Sequence, residues 1–406
     1  MIKQTQTKMF DFSDVGLDFC AGSKNKFPEV FKKMLATGFN PQTVNSVSIS
    51  GSTITLTYGV NHGYVADRVL QVTATGGFNK EVYIDGITSN TVTCTVLDAD
   101  TSGLTGTLST KVASLGWELV YELSNIQIFK MKHIDDTERY VRFCFQNNAS
   151  QHNAIAPCIG KTVDLQSGTI TDANATPVNA NVTTPFNNSN LRWEFSTYPH
   201  NLHNNWTYSQ GVSEYGKGVC IGSPYHLIFM HNNYVGSLRS KTVAILPTSI
   251  PYALDTLEYP VIFGDTYTVS SWGTEGSYAY TARIGSHQVS FSNGINNNSG
   301  WLFDYYQKAT DSFLPASIDS FNTTTTTPIF IYDNASRQLL GWCVGGLHVA
   351  RYADSNYPPI TSSATPSKTV DVDFQHDCYI HPLKYSNSVV DTIFLAAVVE
   401  EVKYGA

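Results

Sequence analysis

Alternation of apolar and polar positions organises this chain. Two segments, Ser46–Ser50 and 53–58, alternate with a period of two. Val47 and Ile49 share one face of the first, and Ile54, Leu56 and Tyr58 share one face of the second. Ser and Thr fill the opposite faces. This pattern predicts a half-buried hairpin turning at Ser50-Gly51-Ser52. Asn61-His62-Gly63 predicts another turn, followed by short strands near 68–74, 80–85 and 91–97. Together they predict a small all-β module inserted at residues 40–112. It opens after Asn40-Pro41 and closes in the Thr/Ser/Gly/Asp-rich segment 98–107.

Helical periodicity stands out at 27–36. Phe27, Val30, Phe31, Met34 and Leu35 follow i, i+3, i+4, i+7, i+8 and share one face. Pro28 suits a first helical turn, and Gly38 suits the position just past the end. This helix belongs to an N-terminal segment, 1–39, whose apolar face is expected to pack on the main domain.

Residues 113–406 return to strand-like patterns. Consecutive strands are predicted at 117–123, 126–131 and 140–146. More follow at 218–221, 226–231, 243–246, 261–263, 267–270, 328–332, 339–350 and 392–402, with a short helix possible in 303–314. The polar stretch 172–190 reads as a long surface loop or arm, of a length that suits contact with another subunit. The expected fold is mainly β: a β-sandwich or jelly-roll-like body, an inserted small β domain and one N-terminal helix. No 20–50-residue repeat marks a propeller or solenoid.

Composition sharpens this picture. Charged residues are 14% of the 406, against about 25% in ordinary soluble domains. Ser, Thr, Asn and many aromatics fill their place, which suits β surfaces that meet neighbouring subunits or neutral glycans. The net charge of −8 argues against a nucleic-acid partner. The nearest approach to a basic cluster is Lys130, Lys132, His133, Arg139 and Arg142. It is diluted by Asp135, Asp136 and Glu138 and reads as a solvated surface. The first ten residues have no apolar core of a secretory leader, and no apolar run is long enough to span a bilayer. The cysteines, Cys20, Cys94, Cys144, Cys158, Cys220, Cys343 and Cys378, are odd in number and show no CxxC spacing. They predict buried free thiols, as in a protein made in a cytosol.

Candidate chemistry is sparse. Asp371, Asp373, His376, Asp377 and His381 are the densest group that could hold a metal, but a solvated strand end explains them better. Cys343 and His348 form a nominal nucleophile–base pair. Read on one strand, their odd separation puts them on opposite faces. Asp265, Glu275, Asp304 and Asp311 offer carboxylates for glycoside hydrolysis without a recognisable motif. Phosphate-cradling glycine motifs are absent. Tyr198, His200, His203, Trp206 and Tyr208, with Tyr278, Tyr280, Tyr305 and Tyr306, form aromatic groups. They suit either a sandwich core or a stacking surface for glycans or subunits. Sequons such as Asn174-Ala175-Thr176, Asn205-Trp206-Thr207 and Asn334-Ala335-Ser336 reflect composition. The expectation is therefore no catalytic, cofactor or metal-binding residues.

Several landmarks carry a resemblance. The module reads His62-Gly63, then Asp67-Arg68-Val69, Gly76-Gly77-Phe78-Asn79, Val82-Tyr83-Ile84 and Thr91-Val92-Thr93. In this order it resembles a small β domain that recurs in tailed-bacteriophage virion proteins. The helix end at 34–40, Gly116-Trp117 after the insert, Tyr140-Val141-Arg142-Phe143 and His226-Leu227-Ile228-Phe229-Met230 extend the likeness. They resemble a group of tailed-phage virion structural proteins, best over residues 16–146. In that group a Thr follows the tryptophan, where this chain has Glu118. The resemblance implies no catalytic residues. It implies a non-enzymatic virion component assembled in the host bacterial cytoplasm, with homo-oligomer and other virion proteins as partners. Neck or collar, tail or baseplate, and capsid decoration all fit. A host-surface glycan-binding protein is the alternative reading, and a polysaccharide hydrolase a third.

Overall fold

The computed structural model describes residues 4–185, 191–196, 203–215, 217–232, 240–267, 278–292, 303, 325–351, 366–370, 377–384 and 392–402. The chain is mainly β: 49% of the described residues are in strands and 8% are helical, and the body is β-sandwich-like.

The helix predicted at 27–36 forms in three parts. A 3₁₀ turn, Lys24–Lys26, leads into α1 (Phe27–Lys32), which ends in a π turn at Lys33–Thr37. Gly38 stops it at φ +71°, where an added Cβ would strike the Val112 carbonyl. All five residues of the predicted face are at most 2% exposed. The backbone N–H groups of Leu115 and Trp117 donate to the carbonyls of Met34 and Leu35. The helix end is thus closed by the chain returning from the insert.

That insert is one antiparallel sheet of seven strands. In chain order they are β2 (Phe39–Val44), β3 (Ser46–Ser50), β4 (Thr53–Thr57), β5 (Val69–Ala74), β6 (Asn79–Ile87), β7 (Thr91–Thr95) and β8 (Leu108–Val112). Their order across the sheet is β2-β8-β5-β6-β7-β4-β3. The first and last strands pair, Phe39 opposite Val112, so the chain leaves the body and returns at one place. Sequence pattern did not signal β2 or β8, since Pro41 interrupts the first and the second is a short run, Leu108-Ser109-Thr110-Lys111-Val112, at the end of a loop-like segment. Ile54, Leu56, Val82, Ile84, Val92 and Cys94 fill the inner face and join the core of the body.

The body contains three larger sheets. One has five strands in the order β15-β12-β11-β10-β9: β9 (Glu118–Leu123), β10 (Ile126–Lys132), β11 (Glu138–Phe145), β12 (Ala154–Gly160) and β15 (Trp193–Glu194). A small pair, β13 (Val163–Asp164) and β14 (Thr169–Ile170), lies beside it. The second sheet has ten strands in the order β1-β16-β17-β18-β20-β21-β22-β24-β25-β19. These are β1 (Lys8–Asp11), β16 (Gly218–Ser223), β17 (His226–Asn232), β18 (Ser240–Leu246), β19 (Thr248–Ser249), β20 (Val261–Tyr267), β21 (Tyr278–Ile284), β22 (His287–Ser290), β24 (Phe330–Asp333) and β25 (Leu339–Cys343). The third runs β23-β26-β29-β28-β27 and comprises β23 (Thr325–Pro328), β26 (Leu347–Arg351), β27 (Ser367–Val370), β28 (Asp377–Lys384) and β29 (Thr392–Val398).

Helix α1 sits between the first two sheets. Phe31 stacks on Phe229 with centroids 5.0 Å apart and meets Phe143 edge-on at 5.4 Å. Phe27 meets Phe195 at 4.7 Å, and Trp193 lies 5.6 Å from Phe143. These rings fill the space between the layers.

Four sequence expectations change. Of the basic group read as a solvated surface, His133, Arg139 and Arg142 are buried. A second helix, α2 (Tyr208–Tyr215), was not anticipated. The predicted strand 339–350 is two strands in different sheets, because Gly345 and Gly346 both adopt positive φ, +77° and +78°. The stretch 172–190 does not project over its described part, which ends at 185. It folds back over the outer face of β11 and β12, where Ala175 and Val182 pack on Cys144, Ala156 and Cys158. Arg142 explains this. Its fully buried guanidinium donates to the carbonyls of Gly168 (2.7 Å), Asn179 (3.3 Å) and Val182 (2.7 Å). A buried cation needs such acceptors, so the loop that supplies them cannot stand free. The predicted helix in 303–314 lies, apart from Phe303, outside the described residues.

Candidate functional site

The sequence candidates scatter. Asp371, Asp373 and His376 lie outside the described residues. Asp377 and His381 share a face of β28. Asp377 pairs with Lys368 at 3.1 Å. His381 is fully buried, with its Nε2 3.1 Å from the His231 carbonyl, and burial pushes its pKa down to about 4. A neutral ring on a backbone carbonyl and a carboxylate on a lysine have different partners. Among the described residues no three His, Cys, Asp or Glu side chains group as metal ligands would.

Cys343 and His348 are separated by the Gly345-Gly346 turn and lie in different sheets, β25 and β26. Both are buried, and burial raises the Cys343 thiol. A thiol kept protonated is a poor nucleophile. Asp265 lies on β20; Glu275, Asp304 and Asp311 fall outside the described residues. So do Tyr198, His200, Tyr305 and Tyr306, while Tyr278 and Tyr280 open β21.

His203, Trp206 and Tyr208 are packing residues. The rings of His203 and Trp206 lie 3.9 Å apart, and His203 bonds the Tyr215 hydroxyl of α2. Ser23 donates to the Trp206 carbonyl at 2.6 Å. This group docks α2 on the segment before α1.

Two constellations emerge that the sequence did not flag. The first joins the module to the body through the Asp67-Arg68 pair. Arg68 forms a two-pronged ion pair with Asp14, both bonds at 2.8 Å and both side chains buried. Asp67, at φ +62°, accepts from Tyr83 (2.7 Å) and from Lys368 of β27 (2.6 Å). Burial opposes its charge, but these donors hold its pKa below the usual value. Lys8 reaches Glu81 at 3.0 Å nearby. The residues that carry the resemblance therefore fasten three segments of the chain together.

The second is an exposed aromatic patch on the β24–β25–β19 edge of the large sheet. Phe330 and Trp342 are cross-strand neighbours on one face, and they remain 45% and 43% exposed. Ser249, opposite Trp342, leads toward Tyr252 and Leu254, which are also exposed. Tyr252 contacts the Leu339 carbonyl at 3.4 Å and accepts from Gln338 at 2.7 Å. The signal was present in the alternation of Gly341-Trp342-Cys343: a buried cysteine at 343 turns Trp342 outward.

No protein-family profile matches the chain, and no curated protein matches it in sequence.

Proposed function

We propose that this chain is a non-enzymatic structural component of a tailed-phage virion. It assembles as a symmetric oligomer at the neck or collar, the tail or baseplate, or the capsid surface. The Phe330–Trp342 patch carries this reading. Large aromatic side chains left half in water on a rigid sheet are the usual anchors of a protein interface. The low charge content and the tailed-phage resemblance of residues 16–146 support it, and closed symmetry is the ordinary outcome for identical subunits.

Mass photometry across a concentration series tests it. A discrete ring-sized species is expected, and Phe330→Ala with Trp342→Ala should shift it toward monomer at least tenfold in concentration, a change of about 1.4 kcal/mol. A strict monomer at every concentration overturns the proposal.

The same patch supports a second reading, a glycan-binding protein, because Tyr252 and Gln338 set polar groups beside the aromatic rings. Saturable binding on a glycan array, lost with Trp342→Ala, would favour it.

A further inference from the structure

We infer that the outer edge of β3 is a homotypic docking strand, which pairs antiparallel with β3 of a second copy around a two-fold axis at Ser48. The inference deepens the assembly reading, and rests on it, by naming one contact between subunits.

β3 ends the seven-stranded sheet, and among the described residues only β4 pairs with it. The hairpin turns through Gly51-Ser52, with Gly51 at φ +62°, and Ser50 faces Thr53. A two-residue hairpin loop is closed by a hydrogen-bonded pair. Alternation then makes Ser48–Thr55 and Ser46–Thr57 hydrogen-bonded pairs as well. Val47 and Ile49 consequently turn their N–H and C=O groups outward, toward open solvent.

Among the described residues, nothing blunts this edge. Other sheet edges carry the usual protections. β2 contains Pro41 and a bulge between Phe39 and Gln42. β9 carries Glu118 and Glu122, and β27 carries Lys368. β3 reads Ser-Val-Ser-Ile-Ser, and no Asp, Glu, Lys or Arg occurs anywhere in residues 34–66. Ile49 is 48% exposed although its cross-strand neighbour Ile54 is fully buried. The apolar row of the inner face therefore runs out into water at this strand.

The sequence of the strand selects its own copy as occupant. Ser-Val-Ser-Ile-Ser has the same polar–apolar order in both directions. An antiparallel two-fold at Ser48 sets Val47 against Ile49 of the second copy and Ser46 against Ser50. Both Val–Ile pairs use the outward N–H and C=O groups, which gives four backbone hydrogen bonds. They also extend the apolar row across the joint and cover Ile49, with no like charges opposed.

Cysteine cross-linking tests the register. Ser48 faces Ser48 of the second copy in a non-hydrogen-bonded pair, where Cα atoms lie about 4.5 Å apart, within disulfide range. Ser46 does not face itself. The native cysteines are all buried, so background is low. Under mild oxidation Ser48→Cys should yield covalent dimer at least about tenfold above Ser46→Cys, and the double variant Ser46→Cys/Ser50→Cys should match Ser48→Cys. Ile49→Lys should weaken self-association of the otherwise native chain. Oligomers without enhanced Ser48→Cys cross-linking overturn the docking strand and leave the assembly reading standing. A monomer at all concentrations with no cross-link overturns both.

Discussion

The five-stranded sheet and the seven-stranded module use buried charge in opposite ways. In the five-stranded sheet both faces are covered. One meets the aromatic core through Phe143 and Phe145, and the other lies under the loop held by Arg142. Glu194 of β15 is satisfied close at hand, fully buried between Arg192 and His152, although Arg139 of β11 reaches out to the Glu258 carbonyl. Burial alone would raise the Glu194 pKa, but His152 and Arg192 hold it down at about 2. The module buries its inner face, while its outer face is covered only around Val69 and Tyr83 and leaves the Thr rows of β4 and β7 half-exposed. Its charges reach outward to other segments, buried Arg68 to Asp14 and half-buried Asp67 to Lys368. Charge fixes a covering loop in the first case and a docking geometry in the second.

The strongest way to break this contrast is in the first sheet. Glu194→Gln removes the carboxylate that Arg192 and His152 share, and removing one partner of a buried pair costs about 3–5 kcal/mol. Urea unfolding should show the loss as a lower midpoint with an unchanged slope. Acid should report the same group. A carboxylate depressed from 4.5 to about 2 on folding contributes stability, roughly 3 kcal/mol, in full above about pH 5. That contribution fades as pH falls from about 5 to 2, so the gap between native chain and Glu194→Gln should close over this window.

In the module the effect should be local. Arg68→Met strands Asp14 and should cost about 3 kcal/mol, the lower end of the range for buried pairs. Hydrogen exchange should rise first around β5 and the 11–14 turn; uniform change across the chain would mean that the pair is not a docking contact. The smallest effect is expected inside the module. Tyr58 and Thr110 share a buried hydroxyl contact of 3.0 Å, so Tyr58→Phe should cost about 1 kcal/mol without altering exchange at the Arg68 junction.

Legibility divides along the same line. The β3–β4 hairpin was readable because Val47, Ile49, Ile54 and Leu56 obey strict alternation, and α1 because its five apolar residues obey 3.6 periodicity. β12 was not readable. Ala154-Ile155-Ala156-Pro157 looks unlike a strand, since proline gives up a ladder bond. It is tolerated here because pairing to β15 stops at Ile155. The break at Gly345-Gly346 was missed because a glycine pair inside an apolar run does not announce positive φ. The site was less legible than the fold. Trp342 and Phe330 are 12 positions apart, and neither is unusual alone; β24–β25 pairing makes them neighbours.

By itself, then, the sequence determined the mainly β class, the N-terminal helix and its buried face, and the polar–apolar order of β3. These are local properties, set by the side-chain periods of strand and helix. Only the tertiary structure decided which charges meet, Asp14 with Arg68 and Arg142 with three loop carbonyls, and which aromatic residues stay in water. Such pairings join residues tens to hundreds of positions apart, and no local period encodes them.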